Sequence, residues 1–269
     1  MSLPSDIDAP LATRTAEYRV FQALGENCGV VVIDPESGAC VMRFRRDWHK
    51  FAGDEADVLR ALAEDLPTKQ HEMGTQAFLR WIDENLSNTL SVEPPAQSMC
   101  IDLQRTAQAL YHHHVHSEPL PFQTHLPLIP IDLAAGGLGQ DRAAGATEWI
   151  DAEVPGRHGL SKDLFLVRIH GRSMEPDIPD GSICVFRPYQ GGSRKGGIFI
   201  VQRRTSTDDG GEFTIKRYES SKNETADGWS HSGIHMQPDN PEFSSWDLTQ
   251  EEDRWVTVAQ FICVLEDPI

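Results

Sequence analysis

The stretch His170-Gly171-Arg172-Ser173-Met174-Glu175-Pro176-Asp177-Ile178-Pro179-Asp180-Gly181 lies between two apolar runs, 164–169 and 183–186. Such runs, rich in Leu, Val, Ile and Phe, read as strands. Between them, proline fixes φ, and the glycines and the Asp-Gly pair mark turns. Ser173 is therefore expected at the end of a strand, in a stiff and irregular backbone. The same punctuation runs through 126–269, where short apolar segments alternate with Gly, Pro and Asp. The runs 198–202 and 213–218 flank a polar loop, Thr205-Ser206-Thr207-Asp208-Asp209-Gly210-Gly211, and 256–265 is a last apolar run. Many short strands at near-regular spacing predict a mostly-β domain.

The first half is patterned differently. Residues 1–14 are polar and expected to be loose. Gly29-Val30-Val31-Val32-Ile33 is a β-branched run, Asp34-Pro35-Glu36-Ser37-Gly38 has turn chemistry, and 39–44 reads as the returning strand. Two helical patterns follow. Val58, Leu59, Leu62 and Leu66 recur at helical spacing in 54–66, and Phe78, Trp81, Ile82 and Leu86 do so in 75–86, with Pro67 separating the two. Strands followed by helices predict a small α+β domain over 1–96. A DNA-reading helix-turn-helix is disfavoured, because the connection from Leu66 to Thr75 exceeds the short turn of that motif. The second helix also carries two acids and one arginine, which would repel phosphate. Residues 97–125 read as a linker containing a short helix at 101–111. The cluster His112-His113-His114-Val115-His116 invites a metal reading. No carboxylate or cysteine stands at ligand spacing to close a site, so no metal and no cofactor are expected.

Composition narrows the function classes. The net charge is −17 and the isoelectric point about 5.0, a balance that argues against non-specific binding to phosphate backbones. The local basic group Arg43-Phe44-Arg45-Arg46, with Lys50 nearby, is read as a solvated strand end. The five cysteines are far apart and form no CxxC pair, so neither a disulfide frame nor a structural zinc site is expected. There is no apolar run of membrane-helix length, and the start lacks a basic region followed by an apolar one. The expectation is a cytoplasmic protein without a membrane partner.

Ser173 needs a partner to become a nucleophile. His170, His231 and His235 are near enough in sequence for a Ser-His-Asp arrangement, but no GxSxG nucleophile elbow surrounds Ser173. A neutral lysine on a strand is the other solution, since desolvation lowers its pKa. In Phe213-Thr214-Ile215-Lys216-Arg217-Tyr218, alternation puts Lys216 on one face with Thr214 and Tyr218. Composition alone leaves Lys216 equally readable as a surface lysine on an edge strand.

The combination is more specific. GRSMEPDIPDGSICVFRP followed by FTIKRYE resembles the LexA-like Ser-Lys peptidase family, which includes self-cleaving phage repressors and UmuD-like polymerase subunits. The resemblance covers 126–269. It implies Ser173 as nucleophile and Lys216 as general base, with Gly171, Met174, Pro176, Asp180 and Gly181 completing the motif. Backbone N–H groups near Arg172 and Ser173 would form the oxyanion site. PLIPIDLAAGG at 127–137 looks like the family's self-cleavage segment, with Ala135-Gly136 as the bond; Ala144-Gly145 lacks the preceding PLIPI strand. MQPDNPEF at 236–243 and VTVAQFICVLEDP resemble later family elements. Type I signal peptidases share the dyad but need a membrane anchor. The resemblance implies an autoproteolytic switch of the stress-response or SOS kind that separates the N-terminal domain, homodimeric through the C-terminal domain and with a protein activator or effector as partner. A repressor with an unfamiliar DNA-binding N-terminal domain and a non-catalytic dimeric scaffold are the alternatives. The first 125 residues resemble no DNA-binding domain of the family.

Overall fold

The run Gly29-Val30-Val31-Val32-Ile33 is apolar without alternation, as a strand covered on both faces requires. In the computed structural model, which describes residues 14–86, 89–135, 142–157, 159–203, 212–225, 228–248 and 255–266, it belongs to strand β2 (Glu26–Ile33). Its antiparallel neighbours are β1 (Arg14–Ala23) and β3 (Cys40–Phe44), and the far edge of β1 is met in turn by β4 (Ser91–Val92) and β5 (Ala96–Cys100). On one face, Val31 and Ile33 pack with Leu59, Leu66, Phe78 and Ile82, drawn from α2 (Ala56–Met73) and α3 (Thr75–Asn85), and with Trp48 of α1 (Trp48–Ala52). On the other face, Val32 meets Leu103, Ala107 and Leu110, and Val30 meets Tyr111 and Val115, all in or just after α4 (Leu103–His114). The turn after β2 forms as read: the Asp34 carboxylate accepts from the Glu36 N–H at 3.0 Å and the Ser37 hydroxyl at 2.7 Å.

Several sequence expectations are corrected by the structure. Of residues 97–125, read as linker, 97–114 belong to the first unit: β5 pairs with β1 from Arg14↔Cys100 to Tyr18↔Ala96, and α4, capped by Asp102 accepting from the Arg105 N–H at 3.0 Å, covers the sheet. The chain divides into two compact units at Leu120/Pro121. Pro67 does not end a helix. It lies exposed within α2, its ring turned to solvent. The helix continues because Lys69 sits over the Trp81 ring at 5.1 Å and Gln70 donates to the Thr75 hydroxyl at 2.9 Å. Gly74 alone, at φ 77°, joins α2 to α3, so connection length is no argument against a helix-turn-helix; the acidic face of α3 still is. In α2, Leu59, Ala63 and Leu66 are buried, whereas Val58 and Leu62 face outward, 59% and 37% exposed. Arg43 and Arg45 are not a solvated patch either. Arg45 is buried against Asp47, Nε to Oδ1 at 2.9 Å, and Arg43 lies over the Tyr111 ring at 5.4 Å.

The second unit is one nine-stranded sheet. Its strands are β6 (His125–Leu128), β7 (Glu148–Asp151), β8 (Phe165–Arg168), β9 (Ile183–Pro188), β10 (Ile198–Arg203), β11 (Glu212–Thr225), β12 (Gly228–Gln237), β13 (Trp246–Asp247) and β14 (Trp255–Glu266). The order is β13-β12-β11-β10-β14-β9-β8-β6-β7. The last strand of the chain thus sits inside the sheet, between β10 and β9. Alternation sorts the two faces: Phe165, Val167, Cys184 and Phe186 join one core, Leu164, Leu166, Ile183 and Val185 the other. The segment read as strand PLIPI is a strand only to Leu128; after Pro130 the chain turns into the short helix α5 (Ile131–Ala135), whose Ala134 is buried beside Met174 and Ile178 in the first of those cores.

Candidate active site

The loop that carries Ser173 is held from both ends. After β8, the Ile169 N–H donates to the Ser182 carbonyl and the Gly181 N–H to the Ile169 carbonyl, each at 2.9 Å. The Asp180 carboxylate turns back to accept from the Gly171 N–H at 2.8 Å. Gly171 has φ 101°, a conformation that a side chain would strain. Met174 and Ile178 are buried, and the Ile178 N–H donates to the Met174 carbonyl at 2.8 Å. The Glu175-Pro176 peptide is cis. These constraints leave Ser173, between Arg172 and the Met174 anchor, half-buried at the loop's inner turn.

Lys216 comes to Ser173 from β11. Its register partner on β10 is Phe199, and its amine lies 5.5 Å from the Trp246 ring centre, so the side chain leaves the strand through an apolar wall. Lys216 is 5% exposed. Its Nζ donates to Ser173 Oγ at 2.7 Å and to the Ile215 carbonyl at 3.0 Å. Burial pushes its pKa below the ordinary lysine value, and the Asp239 carboxylate opposes that shift. The pairing of serine and lysine, 43 residues apart in sequence, is thereby an observed contact. His170 is exposed, and His235 lies on β12 opposite Glu219 and Asp247. The side chain of His231 lies outside the described residues.

Two residues near this pair had no role assigned from sequence. Asn240 is buried; its N–H donates to the Ser173 carbonyl at 3.2 Å and its Nδ2 to the Arg172 carbonyl at 3.0 Å, while its Oδ1 accepts from the Glu242 N–H at 2.9 Å. The carbonyl and N–H of one peptide plane point in opposite directions. Holding the Arg172 carbonyl therefore aims the Ser173 N–H away from Asn240. Arg217, next to Lys216, grips Asp239 with two bonds of 2.7 and 2.8 Å, Asp177 at 2.9 Å and the Gly196 carbonyl at 3.1 Å. The Arg172 side chain pairs with Glu175 at 3.0 Å, which raises its pKa further. The signal available in sequence was the Asp239-Asn240-Pro241 turn itself, visible only as a family likeness.

Ala135 ends α5, and Gly136 and Gly137 lie outside the described residues. Ala144 and Gly145 end a single 3-10 turn, Arg142–Gly145. Of the histidines read as linker, His112, His113 and His114 end α4 instead, with His116 just beyond it: the His113 and His114 rings are 4.8 Å apart, and Asn27 Nδ2 donates to the His114 carbonyl at 3.0 Å. Among the described residues no three His, Cys, Asp or Glu side chains are placed to hold a metal ion, and no helix is long and apolar enough to cross a membrane.

A loop-borne serine touched by a buried strand lysine, on a mostly-β sheet, defines a Ser-Lys type of site. Residues 127–260 match the Peptidase S24-like family, so the C-terminal half of the chain is a Peptidase S24-like domain, in keeping with the LexA- and UmuD-like family that its motifs resemble. The comparison with curated proteins gives no match for the chain.

Proposed function

We propose that the chain is an autoproteolytic switch that cuts its own Ala135-Gly136 bond. The observation that carries this reading is the 2.7 Å contact between Lys216 Nζ and Ser173 Oγ. With the lysine neutral, the Ser173 O–H donates its proton to Nζ as Oγ attacks the Ala135 carbonyl carbon. The Ser173 N–H, its peptide plane fixed by Asn240, receives the developing oxyanion, and the Arg172 N–H is the second donor. The resulting ammonium of Lys216 then protonates the Gly136 nitrogen as the C–N bond breaks. An acyl-serine remains, and water hydrolyses it with Lys216 again as base. The helical turn of α5 has to open for the bond to lie extended in the cleft. A protein activator would favour that opened arrangement, in a cytoplasmic homodimer, and the N-terminal unit would be the module whose state the cut changes.

The test is incubation of the purified chain followed by intact-mass measurement. Fragments ending at Ala135 and starting at Gly136 are expected, and Ser173→Ala should abolish them. Cleavage between Ala144 and Gly145 would overturn the bond assignment.

A further inference from the structure

β6 lies upstream of Ala135, yet it is built into the sheet that carries Ser173 and Lys216. All four of its residues are buried. It pairs antiparallel with β7 from His125↔Asp151 to Leu128↔Glu148, and parallel with β8 at Leu128↔Leu166. The segment is fastened at both ends. The Ala152 N–H donates to the Thr124 carbonyl at 2.8 Å, the Thr147 N–H to the Leu128 carbonyl at 2.9 Å and the Ile129 N–H to the Leu166 carbonyl at 3.0 Å. Leu126 and Leu128 enter one core with Ile150, Leu166, Val185 and Leu265, and Ile129 enters the other with Phe165 and Met174. In the strand order β6 stands between β8 and β7, so it is the strand through which β7 joins the sheet.

We infer that cutting after Ala135 nicks the molecule without releasing the N-terminal fragment, because that fragment keeps β6 seated between β7 and β8 of the peptidase domain. The interface is a strand slot, and its occupant is residues 124–129 of the same chain. Backbone pairing holds the strand, and the alternate pockets for Leu126 and Leu128 make the slot selective. Release is then a second event, the withdrawal of β6, which also strips β7 of its neighbour. This rests on the cleavage assignment above, but its test does not depend on the dyad.

An Asp-Asp-Asp-Asp-Lys site for enterokinase, inserted after Ala135 in a Ser173→Ala chain, makes the nick externally. On gel filtration the nicked chain is expected to elute at the uncut position and to separate into two fragments only in denaturant. Leu126→Asp should release the fragments natively after the nick. Hydrogen exchange gives a second reading that needs no substitution: protection of the Ile129, Thr147 and Ala152 amides should survive the nick. Spontaneous separation of the nicked parent, loss of that protection, or co-elution undiminished by Leu126→Asp would each overturn the inference. Absence of self-cleavage in the Ser173 parent would bear on the proposed function alone.

Discussion

Lys216 is where chemistry and stability pull against each other. In the proposed mechanism Lys216 accepts a proton and has to be neutral, and burial in its apolar wall favours the neutral form by penalising the charge. Its folded pKa lies below the unfolded one, so between the two values the unfolded chain binds more protons. Stability therefore rises with pH through that interval and is lost as pH falls through the folded value. Lys216→Met is expected to raise the urea midpoint at neutral pH while abolishing cleavage; a lower midpoint would count against a destabilising burial. For activity, single-turnover self-cleavage should climb with pH, by up to about tenfold per unit below the effective pKa, and level off below the ordinary lysine value near 10.4. A plateau already at neutrality, or activity surviving Lys216→Ala at high pH, would remove the lysine from its role. Arg217 sharpens the same experiment. It occupies Asp239, the carboxylate that favours the charged lysine. Arg217→Gln should move the rising limb to higher pH and lower the rate measured on that limb. Lower rates with an unmoved limb would mean that Arg217 acts only through structure.

At the level of single elements, the central strands and the long helices were legible because each has a local period or a run that nothing else explains. The β2 hairpin, β8 to β11 and β14 lie where the apolar runs put them, although β11 continues well past its apolar part. What was not legible depends on partners far along the chain. β5 is a short stretch without β-branched or aromatic residues that becomes a strand because β1 offers it an edge, and α4 looks like linker until the second face of the sheet needs a cover. The dyad could be read because motif and spacing are kept together; Asn240 could not, because two backbone carbonyls carry no side-chain signature. One glycine shows how tightly the first sheet is closed. A Cβ on Gly29 would press into the Phe44 ring and come within 2.8 Å of the Arg43 carbonyl oxygen. Gly29→Val is expected to destabilise the N-terminal unit by about 1–3 kcal/mol through overpacking, read as a shift of the urea transition. An unchanged transition would mean that β3 yields without cost.

For the molecule as a whole, each unit has its own core and its own sheet, and each meets the question of what else its surface will bind. The proposed dimer would use the half-buried apolar residues of β14, the run 256–265 with Trp255 beside it, since both edges of that strand are already taken by β10 and β9. Light scattering should give twice 30.0 kDa; a monomer at micromolar concentration would remove the idea. The N-terminal unit faces the opposite problem, because its sheet has open edges. Along β1 that edge is divided between β4 and β5, and the exposed Pro94 and Pro95 lie between them. Neither proline has an N–H to offer to an incoming strand. The outer rim is thus broken into two pieces, each too short to template a fibril or a run-on sheet. In the N-terminal unit, protection of this edge of the sheet against run-on pairing rests on those two rings.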